Sequence, residues 1–220
     1  DIAAVLIRYG FGDLVQRLGM ANALERAGKA LHLKGPQHAV RLEPAERVRQ
    51  ALEELGPTFV KLGQILATRA DLFPPEWIVE FGKLQDAAPA VPFDAIRAQI
   101  AEDLGEAPET VFAELDTLPL AAASLAQVHR ARLADGTPVV LKVRRPGIRP
   151  VIEADLRLLG RLAEIMEAEA PDLRRYRPRE VVREFAHSLR RELDFSAEGR
   201  NAERIAASFA DHPEIVVPRI

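Results

Sequence analysis

The chain has 220 residues, of which 48% are hydrophobic and 29% charged, and its formal net charge is −3. This composition is typical of a soluble globular protein, large enough for one large domain or two small ones. The small negative charge excludes a strongly basic chain that binds nucleic acid through its overall field, and the absence of cysteine excludes disulfides and thiolate metal sites.

The two ends of the sequence indicate a piece of a longer protein. The sequence begins without Met, lacks a signal-peptide pattern and ends on the strand-like run Ile-Val-Val-Pro-Arg-Ile. No apolar run approaches the roughly 18 to 20 residues that a membrane-spanning helix needs.

Residues 2–33 are predicted to be helical, with an apolar stripe that Gly10 and Gly12 interrupt. Such a segment could lie on a membrane surface or pack on the protein itself, and the sequence leaves both possibilities open. A Gly-Pro pair then predicts a loop, so residues 1–41 are interpreted as an N-terminal helical segment.

A regular helical pattern begins at Pro44. Apolar residues recur at spacings of three and four along one face, at Val48, Leu52, Leu55, Phe59, Leu62 and Leu66. Gly56 suits the end of one helix and Pro57 the first turn of the next, so two helices are expected to meet at an elbow.

The second of these helices carries Lys61 and Gln64, which are three positions apart and therefore neighbours on its surface. Gly63 lies between them, where glycine costs about 1 kcal/mol relative to alanine. That cost indicates the close approach of another backbone or of a ligand. The alternative is a solvated lysine and glutamine beside a tolerated glycine.

Further helices are predicted before residue 116. A short helix is expected at 76–84, and a longer one is expected to have Asp94 as its N-cap and to stop at Gly105. Residues 108–115 are expected to add one or two helical turns.

The pattern changes to a β-hairpin between residues 125 and 143. Alternating residues over 125–133, a turn at 134–136 and the run Val-Val-Leu-Lys-Val predict two paired strands. Lys142 stands in the second strand between branched apolar residues. It therefore either has an anionic partner, a carboxylate or a phosphate, or lies on a solvent-facing side of the hairpin.

A long helix is predicted after the hairpin, at 150–169. Its inward-facing residues are expected to be Ile152, Leu156, Leu159, Leu162, Ala163 and Met166. The arginines that follow, between residues 174 and 191, are interleaved with glutamates, which favours a solvated helix face over a nucleic-acid patch.

Residues 178–210 are predicted to be helical and carry the carboxylates Glu192, Asp194 and Glu198. The first two are two positions apart and cannot share a face of a regular helix, so a common site requires a break near Leu193. Asp194 could cap the second piece by accepting the amide of residue 196 or 197. Ordinary acidic surface is the alternative.

Four motifs occur in one order along the chain. They are Gly-Pro-Thr-Phe-Val-Lys-Leu-Gly-Gln at 56–64, Ala-Ala-Ala-Ser-Leu-Ala-Gln-Val-His at 121–129, Val-Val-Leu-Lys-Val at 139–143 and Glu-Leu-Asp-Phe-Ser-Ala-Glu-Gly-Arg-Asn at 192–201. Together they resemble the UbiB family of atypical protein-kinase-like proteins, and the resemblance extends from about Leu42 onward.

The resemblance implies an α+β fold. Residues 116–220 would form a kinase-like N-lobe with a small antiparallel sheet and helix C, preceded by a mostly helical KxGQ extension at 42–115. Kinase-like proteins take their catalytic aspartate and metal motif from a carboxy-terminal lobe, and neither an H-R-D-like loop nor D-F-G occurs in these 220 residues. The C-lobe and its metal ligands are therefore expected outside this chain.

By resemblance, Lys142 is the strand lysine that contacts nucleotide phosphates, and Glu198 is its helix-C partner in the catalytic pair. An alanine-rich segment takes the place of the glycine-rich loop of kinases and is expected to bind the nucleotide, at Ala121, Ala122, Ala123, Ser124, Leu125 and Ala126. Ala126 departs from the family, in which glycine is usual. Because alanine restricts the positive φ angles that glycine allows, this segment should cover phosphates less flexibly.

The remaining motif residues are expected to form a lid. Lys61 and Gln64 match the KxGQ motif, and Glu192 and Asp194 match the ExD motif. In UbiB-like proteins these motifs lie where a protein kinase admits its peptide, so the resemblance implies a clamp that excludes bulky substrates and regulates the site.

The implied function is an atypical kinase or ATPase that binds ATP or ADP with Mg²⁺ and supports ubiquinone biosynthesis. Isoprenoid-quinone precursors, or the proteins that handle them, are the expected partners, and nucleic acid is not expected. The expected location is the bacterial cytoplasm at the inner face of the plasma membrane, and this segment alone is expected to be inactive. The alternative is a non-catalytic pseudokinase scaffold or a lipid-binding protein.

Overall fold

The computed structural model describes residues 2–17, 42–85 and 88–220. The helices in these ranges are α1 Ile2–Arg8, α2 Gly12–Arg17, α3 Pro44–Leu55, α4 Pro57–Leu66, α5 Pro75–Phe81, α6 Phe93–Leu104, α7 Pro108–Val111, α8 Ile148–Glu169, α9 Pro178–Glu192 and α10 Phe195–Ser208, with a 3₁₀ helix at Pro171–Tyr176. The strands are β1 Phe112–Leu115, β2 Ala121–Ala122, β3 Ala126–Leu133 and β4 Pro138–Arg144. Within the described ranges, none of the helices is both long and apolar enough to cross a membrane.

The N-terminal helical segment is divided where its first glycine stands. Gly10 has a φ of +83°, a left-handed conformation that suits glycine and separates α1 from α2. Gly12 begins α2 and does not interrupt it, contrary to the expectation. The later part of the predicted helix and the Gly-Pro loop after it lie outside the described residues.

The elbow between α3 and α4 is confirmed. Gly56 adopts a φ of +102°, which only glycine takes readily, and Pro57 is the first residue of α4. The short predicted helix after them is also present as α5, although it begins at Pro75 and ends at Phe81.

The start of α6 corrects one prediction. Pro92 is the N-cap, and Asp94 lies one residue inside the first turn and forms no capping hydrogen bond. Its charge still lies near the positive end of the helix dipole. The predicted end is confirmed, since Gly105 has a φ of +79° directly after Leu104.

Strand β1 was not predicted. Residues 108–115 were expected to be helical, but the helix stops at Val111 and Phe112–Leu115 pairs antiparallel with β3. Pairing with a strand that lies farther along the chain overrides the local helical preference of so short a segment.

The predicted hairpin is confirmed as β3 and β4, which pair antiparallel around a turn where Gly136 has a φ of +86°. Strand β3 is central, with β4 on one side and with β1 and β2 on the other. In this register Val128 lies opposite Lys142 on β4 and opposite Ala121 on β2.

The two faces of the sheet differ in environment. One face packs on α6, where Val143 is buried against Ile96 and Ile100. Gln127 and His129 are also fully buried. The opposite face is open, since Val140 and Lys142 alternate with the packed residues of β4 and are exposed.

Helix α8 is confirmed and packs with α9. Most of its predicted inward residues are buried, but Met166 is 39% exposed, which corrects that prediction. The predicted break in the next segment is confirmed, because α9 ends at Glu192 and α10 begins at Phe195.

One hydrophobic core joins the helices before the sheet, including α4 with its KxGQ motif, to the helices after the sheet. Phe59 of α4 and Phe81 of α5 belong to the same buried cluster as Ile152 of α8 and Leu189 of α9. The division of the chain at residues 115 and 116 stays a prediction.

A buried hydrogen bond lies within this core. The Thr58 hydroxyl of α4 donates to Asp155 Oδ2 of α8 over 2.6 Å, and both residues are buried. The bond fixes the position of the KxGQ helix against α8.

Candidate functional site

An ion pair stands on the open face of the sheet. Lys142 Nζ lies 2.6 Å from Glu198 Oε2 and 2.8 Å from Oε1, and it also lies 4.6 Å from the centre of the Phe195 ring. Both side chains remain accessible, Lys142 at 44% and Glu198 at 58% exposed. The sequence left two alternatives for Lys142, an anionic partner or a solvent-facing position. The structure shows both, because the side chain faces solvent and pairs with a carboxylate.

Accessibility limits what this pair does for stability. Exposed ion pairs contribute about 0 to 1 kcal/mol, because water screens the charges and both side chains lose freedom. The pair therefore does little to hold the fold together. It does keep an ammonium group fixed at the surface of the sheet, which is a suitable arrangement for binding an anion.

Apolar side chains flank the ion pair on the same face. Val128 lies opposite Lys142 across the strand pair, and Val140 is two residues before it. Val140 is 62% exposed, although valine is usually buried in a sheet. An uncovered apolar surface beside a fixed cation suits a ligand with a flat apolar group and a phosphate chain.

The sequence interpretation missed both valines. Their alternation with Lys142 is the signal that could have placed them, since residues two apart on a strand share a face.

The alanine-rich segment forms a tight, well-anchored turn. Ala121 and Ala122 form β2, and Ala126 begins β3. The Ala123 amide donates to the Ala126 carbonyl over 2.9 Å and closes the turn. Leu125 packs into the main core, so any contact from this residue with a ligand would come from its backbone.

The buried residues of this turn restrict its movement. Ser124, Leu125 and Ala126 are each less than 10% exposed, and none of the segment's residues has a positive φ. A glycine-rich loop could open more freely, because its residues would tolerate left-handed conformations.

The structure brings two of the four lid residues together. Lys61 Nζ of α4 lies 3.4 Å from Glu192 Oε2 at the end of α9. Gln64 instead donates from Nε2 to the carbonyl of Leu84 over 3.2 Å.

Asp194 caps α10, and its Oδ1 accepts the Ala197 amide over 2.9 Å. Its other oxygen lies 3.9 Å from Arg200. Because the helix breaks between Glu192 and Phe195, Glu192 contacts Lys61 and Glu198 contacts Lys142.

The close approach predicted at Gly63 is confirmed, but its source is different. An added Cβ would overlap Leu84 Cδ1 and lie 2.9 Å from Leu52 Cδ1. The neighbours are therefore core side chains and not a ligand or another backbone.

Comparison with known proteins identifies the family. The profile of the ABC1 atypical kinase-like domain matches residues 83–220. The chain belongs to the ABC1 atypical kinase-like family. The match covers the whole sheet and the helices that carry Glu192 and Glu198, so the ion pair on the sheet lies within the family domain.

Proteins named "Probable protein kinase UbiB" are similar over the whole chain. The protein from Vibrio cholerae serotype O1 strain M66-2 is 42% identical over 222 residues, that from Vibrio vulnificus strain YJ016 is 43% identical over 222, and that from Enterobacter sp. strain 638 is 42% identical over 223. Each alignment covers 100% of this chain and 40% of the relative. The chain therefore spans about 40% of the length of these curated relatives, and the resemblance to UbiB drawn from the four motifs is confirmed.

A solved structure also supports the ABC1 kinase-like fold. The complex of Rv3197 with erythromycin from Mycobacterium tuberculosis matches with a TM-score of 0.52 and 27% identity, over 91% of this chain and 46% of that one. The predicted α+β, kinase-like fold class is confirmed.

The described part of this ABC1 domain contains no group of three or more acidic, histidine or cysteine side chains that could hold a metal ion. We assign no metal ligand among the described residues of this domain.

Proposed function

We propose that the full-length protein binds ATP between the open face of this sheet and the rest of the protein, and acts as a UbiB-like atypical kinase or ATPase. The observation that carries the proposal is the ion pair between Lys142 and Glu198 on an accessible sheet face of an ABC1 kinase-like domain. In kinases a strand lysine held by a helix glutamate contacts nucleotide phosphates.

The geometry of the pair fits this role. A lysine ammonium has three N–H donors, and the two Glu198 oxygens accept from at most two of those of Lys142. A donor direction therefore remains for a phosphate oxygen, while the carboxylate keeps the ammonium in place. Val128 and Val140 would contact the flat base of the nucleotide from the same face.

The alanine-rich turn would cover the phosphates through its backbone. Backbone N–H groups in a turn are suitable donors for phosphate oxygens. Because residues 124–126 are buried and fixed, the turn would present these groups in one arrangement.

Mg²⁺ is proposed to accompany the nucleotide, as the resemblance to UbiB implies. When bound, the ion neutralises charge on the β- and γ-phosphates. This chain's own part is to position the phosphates with Lys142 and to keep the ammonium oriented with Glu198.

The lid is proposed to favour hydrolysis over protein phosphorylation. The contact of Lys61 with Glu192 joins the KxGQ helix to the end of α9. If this contact lies over the entry for a peptide, a protein substrate is excluded and a water molecule is the available acceptor.

The biological role is proposed from the UbiB resemblance alone. The full-length protein would support ubiquinone biosynthesis, acting on isoprenoid-quinone precursors or their protein partners at the inner face of the bacterial plasma membrane. Ubiquinone content in cells that carry only the Lys142→Ala protein should fall if nucleotide binding serves this pathway.

The decisive experiment measures ATP affinity of the full-length protein by calorimetry. Lys142→Ala should weaken binding at least about tenfold, because charge-assisted hydrogen bonds to phosphate are worth about 1.5 to 3 kcal/mol. Lys83→Ala is the matched control, since Lys83 is an exposed lysine that pairs with Glu80 of α5 and not with a residue of the sheet. Unchanged affinity in Lys142→Ala would contradict the proposal and favour the scaffold alternative.

A further inference from the structure

The alanine-rich turn is held from behind by one arginine. Arg145, directly after β4, donates from Nε to the carbonyl of Ala123 over 2.7 Å and from its backbone amide to the carbonyl of Leu125 over 3.0 Å. Its Nη2 donates to the carbonyl of Pro89 over 2.8 Å. One residue therefore binds two carbonyls of the turn and one of the segment before α6.

The guanidinium is committed to backbone carbonyls. Within the part of the chain that the structure describes, Arg145 forms no ion pair with a carboxylate, and burial lowers its pKa. A partly buried cation needs hydrogen-bond acceptors, and these carbonyls supply them. The two side-chain contacts, to Ala123 and Pro89, are specific to arginine, because a lysine ammonium lacks the planar fork that reaches two separated carbonyls. The contact of the backbone amide with Leu125 does not depend on the side chain.

Pro89 is itself a fixed anchor. The Ala88 amide donates to the Ala122 carbonyl over 3.4 Å, and the Val91 amide donates to Gln127 Oε1 over 2.8 Å. The segment 88–91 is thus attached to β2 and β3 on both sides of Pro89, so Arg145 links the turn to a support that does not move independently.

These contacts determine which way the peptide groups of the turn point. In a trans peptide the C=O and the following N–H point in opposite directions, and the described chain has no cis peptide bond. Because the carbonyls of Ala123 and Leu125 point at Arg145, the N–H groups of Ser124 and Ala126 point to the other side. A flip of either peptide would place an N–H against a donor of Arg145.

We propose that Arg145 is a positioning residue for nucleotide binding, which fixes the peptide groups of the alanine-rich turn in the orientation that receives phosphate oxygens. The inference rests on the proposed function and adds to it a residue outside the lysine, glutamate and alanine motifs. Arg145 acts through the turn and does not touch the nucleotide.

The test uses the full-length protein with Arg145→Lys and Arg145→Met. Arg145→Lys keeps the charge and loses the fork, whereas Arg145→Met loses both. A positioning role predicts that both variants weaken ATP binding by about tenfold or more, in line with the loss of charge-assisted hydrogen bonds. A direct charge contact with phosphate predicts that Arg145→Lys binds ATP as well as the wild type, and this result would overturn the inference.

Hydrogen exchange supplies a readout that a general loss of stability would not reproduce. In both variants amide exchange should rise at residues 121–126 while exchange in α8 and α9 stays as in the wild type. Weaker ATP binding without faster exchange in the turn would overturn the inference. In the wild type, ATP should slow exchange at residues 124–126, and bound ATP that leaves this exchange unchanged would also overturn it.

Arg132→Lys is the matched control. Arg132 donates from Nη1 to the carbonyl of Gly136 over 2.8 Å and so binds the other turn of the same sheet. Its substitution should leave ATP affinity and exchange at 121–126 unchanged, and an equal loss of affinity would overturn the assignment to Arg145.

The failures of the two proposals are distinguishable. A wild-type protein that does not bind ATP refutes the proposed function and the inference with it. A wild type that binds ATP, together with Arg145 variants of unchanged affinity, refutes the inference alone.

Discussion

At the scale of single residues, Asp194 has two separable properties. It belongs to the ExD motif, but its Oδ1 accepts the Ala197 amide and caps α10. The helix that carries Glu198 therefore begins at a residue that was expected to belong to the lid. Removing the charge and removing the cap are different experiments.

Asp194→Ala should lower the free energy of unfolding by about 1 kcal/mol, because it removes an N-cap. Asp194→Asn should retain most of this stability, since an asparagine oxygen caps equally well. Thermal unfolding of the full-length variants checks this difference. Equal losses in both variants would show that charge, and not capping, is what Asp194 contributes to stability.

Asp155 is the second residue with a measurable consequence. Burial raises the pKa of its carboxyl group, and the hydrogen bond from Thr58 opposes this only in part. The folded protein therefore holds this proton more tightly than the unfolded chain does. Its contribution to stability is fully present below the ordinary aspartate pKa and is lost as pH rises through the raised pKa of the folded state.

Asp155→Asn should be more stable than the wild type at neutral pH, and the gain should disappear at acid pH below the ordinary aspartate pKa. The asparagine oxygen can still accept the Thr58 hydroxyl, so the substitution removes the buried charge and keeps the hydrogen bond. Urea unfolding at several pH values measures the difference between the two proteins. A gain that does not change with pH would contradict the assignment to Asp155.

Thr58→Val provides the opposite case. The change preserves shape but leaves the buried carboxylate without its donor, so stability at neutral pH should fall by about 1 to 3 kcal/mol. A loss of stability as small as that of a typical surface substitution would mean that a water molecule donates to Asp155 in place of the missing hydroxyl.

At the scale of secondary-structure elements, packing around the KxGQ helix explains its glycine. Leu52 and Leu84 occupy the space that a side chain at position 63 would need. Gln64, one residue later, binds the Leu84 carbonyl. The motif thus attaches α4 to the chain that leads towards the sheet.

Gly63→Ala should destabilise the protein by about 1 kcal/mol. Helix propensity favours alanine by about 1 kcal/mol, but overpacking a core typically costs about 1 to 3 kcal/mol, and both neighbours are buried. A double-mutant cycle with Leu84→Ala measures the coupling. The loss of unfolding free energy in the double mutant should be smaller than the sum of the losses in the two single mutants. Strict additivity would contradict the close approach.

Elements with local causes were predictable from the sequence, and elements with distant partners were not. The elbow at Gly56 follows from a glycine and a proline side by side. Strand β1 was missed because its partner lies about twenty residues ahead in a segment with its own pattern.

At the scale of the whole molecule, one core unites the extension and the sheet domain. The buried cluster takes residues from α3, α4 and α5 as well as from α8 and α9. The family domain begins at residue 83, so it does not include the first three of these helices. The domain therefore shares its core with a part of the chain outside the family match.

A fragment of residues 116–220 should not unfold cooperatively. It would lack β1 and α6, and the core faces of α8 and α9 would be exposed to water. Circular dichroism melting and dye binding check this expectation against a fragment of residues 42–220. A sharp transition for the shorter fragment would show that the sheet domain folds without the extension.

The candidate site was predictable only in part. Lys142 is recognisable as a charged residue between branched apolar residues of a strand. Its pairing with Glu198 came from the family resemblance, since no local pattern joins residues so far apart. Arg145 gave no signal, because its partners are backbone carbonyls that any sequence would provide. Met166 was misplaced because the covered face of the last turns of α8 carries Leu162 and Ile165, which pack on α1 and α2.

The distance along the chain between the lysine and its glutamate has a consequence during synthesis. The two residues are 56 positions apart. Lys142 emerges from the ribosome before Glu198. Its ammonium therefore lacks this partner until α10 has been synthesised and has packed beside the sheet. Under the proposed function, ATP added to a translation reaction should therefore protect only nascent chains that extend well past residue 198 and include the part of the protein that closes the site, so nucleotide binding would mark a late stage of synthesis.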